Sequence, residues 1–329
     1  MYAAVTKGAV PLPALCATIA CQSVHRNEPP EVVGTIVPVA ESLYGRMRKI
    51  SEQQGIPIPE EFDHLMQAAR SADWPAVSNQ YEQIRKKSHW YAHDEPNDPR
   101  FVTQLFHPLH ETYWTFNYLR AWPPELVEEY CEMVLSDLPF NSILFTGSDS
   151  SRFLIGSLAE QRGRGDIAFI SQNALAVFSY EEYLRSIYGE RIRIPSDEEL
   201  TAAFSRYVEQ VNKEHPADGS VSVGDASDVM RINGFIAKNI VEENRATSRI
   251  FVEEAYVIPW MLPYLKPHGL VMELMPELRD HDLRARGTAR RAALARSRIA
   301  SFSHLQDQRQ RMVGHGLCLD ALGDCRGLR

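Results

Sequence analysis

The chain is poor in the patterns that announce a chemistry. Its five cysteines, Cys16, Cys21, Cys131, Cys318 and Cys325, form no C-x-x-C pair, which removes a zinc ribbon and a thioredoxin-like redox motif. An odd count at these spacings gives no disulfide framework. No G-x-G-x-x-G and no G-x-x-x-x-G-K-[ST] is present, so a nucleotide fingerprint is absent. H-E-x-x-H, a G-x-S-x-G elbow and a Ser-His-Asp arrangement are missing too. No run reaches the roughly 18 unbroken apolar residues of a membrane-spanning helix. A formal net charge of −8 argues against general nucleic-acid binding, which needs a basic surface for phosphates.

What is present is ordinary globular material. The 329 residues suffice for one large domain or two modest ones, and 44% apolar content can fill a real core. Cys131, inside an apolar helical pattern, reads as a buried thiol. Charge is uneven along the chain: residues 279–329 are rich in arginine, while the body before them is acidic. That tail is Arg/Ala-rich and then Gly/Cys-rich; of a basic surface helix, an unstructured tail and out-of-frame translation past the natural end, the last two together are the expectation.

The start reads in two ways. Lys7, the small apolar run Ala9 to Ala20, and Thr18-Ile19-Ala20-Cys21 follow the order of a lipoprotein export signal, with Cys21 as the lipidated residue. Gln22 to Glu31 would then be a polar tether, and the protein extracytoplasmic with a lipid anchor. Pro11, Pro13 and the single lysine suit instead the disordered start of a cytoplasmic protein. The expected organisation is a signal-like segment over 1–31, a helical domain over 32–139, an α/β domain over 140–278 and the tail over 279–329.

Val32 to Ala40 is β-branched and interrupted by Pro38, and reads as an extended lead-in. Helical spacing begins with Leu43, Met47 and Ile50 and is stopped by Gly55 and Pro57. Phe62, Leu65, Met66 and Ala69 mark a second helix, and Val77, Tyr81 and Ile84 a third. With Asp73-Trp74-Pro75 as their turn, these two look like one tetratricopeptide-type hairpin without a second copy. Phe101 to Trp122 and Pro123 to Leu138 add two more helices. From Ser142 the pattern becomes strand, turn, helix, strand, helix: Ile143 to Thr146, a Gly147–Ser151 turn, Arg152 to Gln161, Asp166 to Ser171, then Tyr180 to Tyr188. That order predicts a Rossmann-like, mostly parallel sheet. Arg191 to Pro195 suggests an edge strand. Ser196 with Glu199 makes a capping box, Val229 to Glu243 another helix, and Arg249 to Glu254 and Gly269 to Leu274 the last strands.

Candidate chemistry follows from that topology, because ligands in open α/β sheets sit beyond the carboxyl ends of strands. Ser148, Asp149, Ser150 and Arg152 occupy this place after the first strand, Asn173 after the second, and Glu253 and Glu254 after a later one. Hydroxyls and free N–H groups there suit an anion, and Asp149 suits a hydroxyl, an amine or a metal ion; the competing reading is simple helix capping. Trp260 and Tyr264, with Tyr256 and His268, form an aromatic loop next to Glu253. Aromatic faces beside carboxylates suit sugar rings, although core packing explains them as well. His89/His93 and His107/His110, the latter beside Glu111, have helical spacing, yet no metal site is expected from them, and the sequence leaves any cofactor unknown.

The turn Phe145-Thr146-Gly147-Ser148-Asp149-Ser150-Ser151, the strand end Ile170-Ser171-Gln172-Asn173-Ala174-Leu175 and the helix Tyr180-Glu181-Glu182-Tyr183-Leu184-Arg185 carry a resemblance. So does Arg249-Ile250-Phe251. This span is similar to the soluble region of protein O-mannosyltransferase-like multi-spanning membrane proteins of bacteria. There a Gly-Asp-Asn-Asp-Thr turn follows the first strand; here Asp149 is the one acidic residue kept. Glu41 to Lys49, reading Glu-Ser-Leu-Tyr-Gly-Arg-Met-Arg-Lys, is similar to a phrase in uncharacterised bacterial envelope proteins. The resemblance implies the fold and a cell-envelope setting. Together these features lead to the expectation of an envelope binding or accessory protein with a glycan or peptide ligand at the strand ends. The alternatives are an enzyme acting on a sugar or nucleotide-bearing substrate through Asp149 or Glu253, and a scaffold that binds protein partners through the helical hairpin.

Overall fold

A computed structural model describes residues 28–88, 98–214, 226–253 and 258–276. Cys21, His89, His93, Glu254, Tyr256 and the 279–329 tail lie outside the described residues, as do the readings that rest on them.

Among the described residues five α-helices precede the sheet: α1 (Pro30–Gln54), α2 (Glu60–Arg70), α3 (Trp74–Lys87), α4 (Phe106–Ala121) and α5 (Pro124–Leu135). The expected extended lead-in is in fact the first part of α1. Val32, Ile36, Val39, Leu43, Met47 and Ile50 recur every three or four residues and are buried, so the β-branched run has helical, not alternating, period. Pro38 lies within this helix and costs about 3 kcal/mol in a helix interior. The cost is tolerable because Pro38 and Gly34, whose carbonyl loses its donor, both face solvent. Pro30 opens the helix, and left-handed Gly55 closes it with its N–H on the Ser51 carbonyl.

The sheet has five strands: β1 (Ile143–Thr146), β2 (Ala168–Ser171), β3 (Ile250–Val252), β4 (Leu265–His268) and β5 (Val271–Leu274), in the order β2-β1-β3-β5-β4. β1 is central to the parallel part and pairs parallel with both β2 and β3; β3, β5 and β4 pair antiparallel. β1 and β2 are buried throughout, which is why both read as continuous apolar runs. β4 was hidden in the sequence by the prolines around it. Between β1 and β2 the chain makes a π-helical turn (Ser150–Ile155), the short α6 (Gly156–Ala159) and a 3-10 turn, where an α-helix from Arg152 is expected from sequence. α7 (Phe178–Tyr188), α8 (Asp197–Glu214) and α9 (Ala226–Asn244) join β2 to β3. The capping box is realised in both directions, Ser196 N–H to Glu199 at 2.6 Å and Glu199 N–H to Ser196 Oγ at 3.3 Å.

Arg191 to Pro195 forms no strand. Its backbone is held instead by one side chain: Asn244 accepts from the Arg193 N–H at 2.8 Å and donates to the Arg193 carbonyl at 2.7 Å. The outer edge of β2 is likewise met by side chains, the Phe169 N–H donating to Tyr188 Oη at 3.3 Å and the Ser171 N–H to Tyr180 Oη at 2.8 Å. One hydrophobic core runs from α1 through α4 and the π-helical turn to the sheet. Thr115 on α4 stitches it, donating to the Phe153 carbonyl at 2.6 Å. Cys131 is fully buried, and burial pushes its thiol up to about 11.

Candidate functional site

Thr146 pairs with Ser171, and Phe145 with Val252, so the three parallel strands end at one level and their loops leave from a common rim. Glu253 follows β3 and its N–H donates to the Phe145 carbonyl at 2.9 Å. That bond fixes the residue beside the β1 turn, and its side chain turns into it. One carboxylate oxygen accepts from the Gly147 and Ser148 N–H groups, both at 2.9 Å. The other accepts from the Ser148 hydroxyl at 2.9 Å and the Ser151 hydroxyl at 2.8 Å. Tyr130 of α5 completes the group, its hydroxyl 2.5 Å from Ser151 Oγ and 3.5 Å from Glu253.

This arrangement has a chemical consequence. A carboxylate offers about four lone-pair directions, and four donors already fill those of Glu253. It is therefore an organiser of the rim, held by donors from Gly147, Ser148 and Ser151. Burial, with Glu253 beside it, raises the Tyr130 phenol above its ordinary range, so Tyr130 remains a donor. The sequence marks Tyr130 as part of an apolar helix face; nothing local signals that α5 delivers its hydroxyl to the rim.

The other expected site residues divide. Ser148 Oγ lies 3.1 Å from Ser150 Oγ and accepts from the Ser151 N–H at 3.2 Å, so Ser148 caps the turn as well as holding Glu253. Asp149 makes no capping bond and stands exposed at the tip. Asn173 reaches across from β2 and donates to the Gly147 carbonyl at 3.3 Å, drawing the first and second loops together. Beside it, Gln172 donates to the Phe145 carbonyl at 3.4 Å while its own carbonyl oxygen is buried without a partner.

Arg152 leaves this cluster. Its guanidinium turns toward α4 and α7 and rests on the rings of Phe153, at 4.7 Å, and Tyr180, at 4.8 Å. Trp260 is half-buried and spends its indole N–H on the Gly234 carbonyl at 2.9 Å, packing on α9 as core-packing aromatics do. Tyr264 is not brought to the rim. Leu265 pairs with Leu274, while Glu273 pairs with Phe251, so Tyr264 lies level with the beginning of β3 and two strands away from it.

His107 and His110 do share a face of α4, and both are buried. His110 Nδ1 is 2.6 Å from the Tyr81 hydroxyl and His107 Nε2 is 3.2 Å from Ser179 Oγ. Burial, then the charge of Arg152, lowers both imidazoles well below their usual range, so they are neutral. Glu111 accepts from the Tyr183 hydroxyl at 2.8 Å, and burial raises its carboxyl. Among the described residues no group of three His, Cys, Asp or Glu side chains is placed to hold a metal ion. None of the described helices is long and apolar enough to cross a membrane.

Compared with protein-family models, with curated proteins and with solved structures, the chain finds no match.

Proposed function

We propose that the protein is a binding or accessory protein of the cell envelope that takes a glycan or peptide ligand on the carboxyl rim of its parallel strands. The observation that carries this reading is the saturated Glu253 carboxylate, which ties the β1 and β3 loops into one hydroxyl-rich platform. Such a platform suits recognition of hydroxyls and amides. It weighs against the enzyme reading in which Glu253 is the acid/base, because its lone pairs are occupied. The Rossmann-like description of the sheet and the tetratricopeptide-like description of α2 and α3 belong to the same reading. So do the envelope setting and the Cys21 anchor, which draw support from the Thr18–Cys21 sequence and the family resemblance. The hairpin as a partner-binding scaffold is less well supported, since Phe62, Leu65, Met66, Val77 and Ile84 are all spent on the protein's own core.

The test is a thermal-shift and calorimetric screen of the full chain against oligosaccharides and short peptides, repeated with Asp149→Ala and Asn173→Ala. A stabilising ligand whose affinity falls about tenfold in each variant agrees with loss of one hydrogen bond of about 1.4 kcal/mol apiece. A ligand bound equally well by both variants places the site elsewhere on the molecule.

A further inference from the structure

Arg152 poses a problem of charge. Among the described residues it has no carboxylate partner and makes no hydrogen bond, and its Nε is buried without an acceptor. The two aromatic faces beneath it contribute about 1–2 kcal/mol as cation–π contacts. Withdrawing a guanidinium from water costs several kcal/mol when complete. Even discounted for a half-buried side chain, the rings alone leave Arg152 undercompensated.

Its surroundings do not supply the missing negative charge. Glu111 is the carboxylate whose field it shares, and that group is already engaged by Tyr183 and is raised by burial toward its neutral form. Arg46 acts on Glu111 more strongly than Arg152 does, but it is itself paired with Glu160 at 3.0 Å, so that carboxylate is spent on Arg46 and not on Arg152. His107, which packs on the Tyr180 ring at 5.2 Å as Arg152 does at 4.8 Å, is 2% exposed and has its Nδ1 without any partner. When the Ser179 hydroxyl donates to Nε2, that Nδ1 carries a hydrogen and is a second orphaned donor. A guanidinium Nε–H and an imidazole nitrogen, neither with a partner, therefore meet at Tyr180, whose hydroxyl is anchored to the end of β2.

We infer that Arg152 and His107 form a subsite for an oxyanion, a carboxylate or phosphate group carried by the ligand, between the π-helical turn and α7. A guanidinium binds such a group through a planar pair of N–H donors, which an ammonium cannot reproduce. The subsite deepens the proposed rim function by naming one chemical feature of its ligand. It stands on different residues from the Ser148–Glu253 platform, so the two can fail separately.

The experiment titrates the full chain with inorganic phosphate and, separately, with acetate, at ionic strength held constant with sodium chloride. Thermal shift and the NMR signal of the Arg152 Nε–H, assigned by its disappearance in Arg152→Met, are the readouts. The expected result is a saturable rise in melting temperature and a shift of that resonance with at least one of the anions. Arg152→Met loses the response, and Arg152→Lys weakens it about ten- to hundredfold, as one or two charge-assisted hydrogen bonds imply. Asp149→Ala and Asn173→Ala retain it, so a failed glycan or peptide screen leaves this result untouched. Circular dichroism of Arg152→Met checks that the variant is folded. Absence of a saturable response to either anion overturns the inference, as does an equal response in wild type and folded Arg152→Met.

Discussion

Glu181 offers the sharpest test of the electrostatics of this fold. It sits on α7 with no exposure, and neither carboxyl oxygen has a hydrogen-bond partner. Burial, opposed by Arg185 and assisted by Asp197, pushes the carboxyl from 4.5 up to about 8. The folded protein therefore keeps this proton at neutral pH, whereas the unfolded chain has released it. Because the folded state binds the extra proton, stability falls as pH rises from the unfolded value to the folded one, by about 1.4 kcal/mol per pH unit. From about pH 5 to about pH 7.5 the penalty grows by about 3 kcal/mol, and it levels off above about pH 9. Glu181→Gln keeps the shape and cannot titrate. Its amide is as poorly partnered as the acid, which adds a fixed offset but no slope. Urea denaturation of both proteins at several pH values isolates the effect, since His107 and His110 titrate in both and cancel. The variant should gain on the wild type by about 3 kcal/mol across that range. A difference that does not change with pH refutes the assignment of a buried, protonated Glu181.

Other predictions follow from single contacts. Gly269 has φ 58°, and a Cβ built there would lie 1.8 Å from Asp137 Oδ2, so Gly269→Ala should cost about 1–2 kcal/mol from the backbone alone. Thermal denaturation of Gly269→Ala with and without Asp137→Ala should show the second change recovering only the contact part. Thr115→Val removes the hydroxyl bond to the buried Phe153 carbonyl and should cost about 1 kcal/mol in urea denaturation, with the π-helical turn exchanging its amide hydrogens faster. Asn244→Leu frees both the N–H and the carbonyl of Arg193 and should cost about 2 kcal/mol or more, read as lost hydrogen-exchange protection at Arg193.

Where periodicity is governed by burial on one side, the sequence is legible. The second and third helices, β1, β2 and the capping box at Ser196 are all readable from apolar spacing and local side-chain logic. Val32 to Ala40 misleads because β-branching and an internal proline outweigh, to the eye, a helical period of buried residues. Arg191 to Pro195 alternates like a strand, yet its hydrogen bonds go to Asn244, a residue about fifty positions away that no local pattern connects to it. The rim shows the same division. Ser148, Ser150, Asn173 and Glu253 are recognisable as loop residues after strands, but the direction of Arg152 depends on a π-helical phase, and Tyr264 on a hairpin register. Tyr130 reaches the rim only through the path of α5.

The tyrosine hydroxyls on the margin of β2 have a consequence for association. Tyr180 and Tyr188 occupy the N–H groups that an incoming strand from another molecule would use. At the opposite margin, Pro267 interrupts the donors of β4. Among the described residues both margins of the five-stranded sheet are thus blunted against strand addition, which favours surface fit over a sixth strand for any second chain that binds.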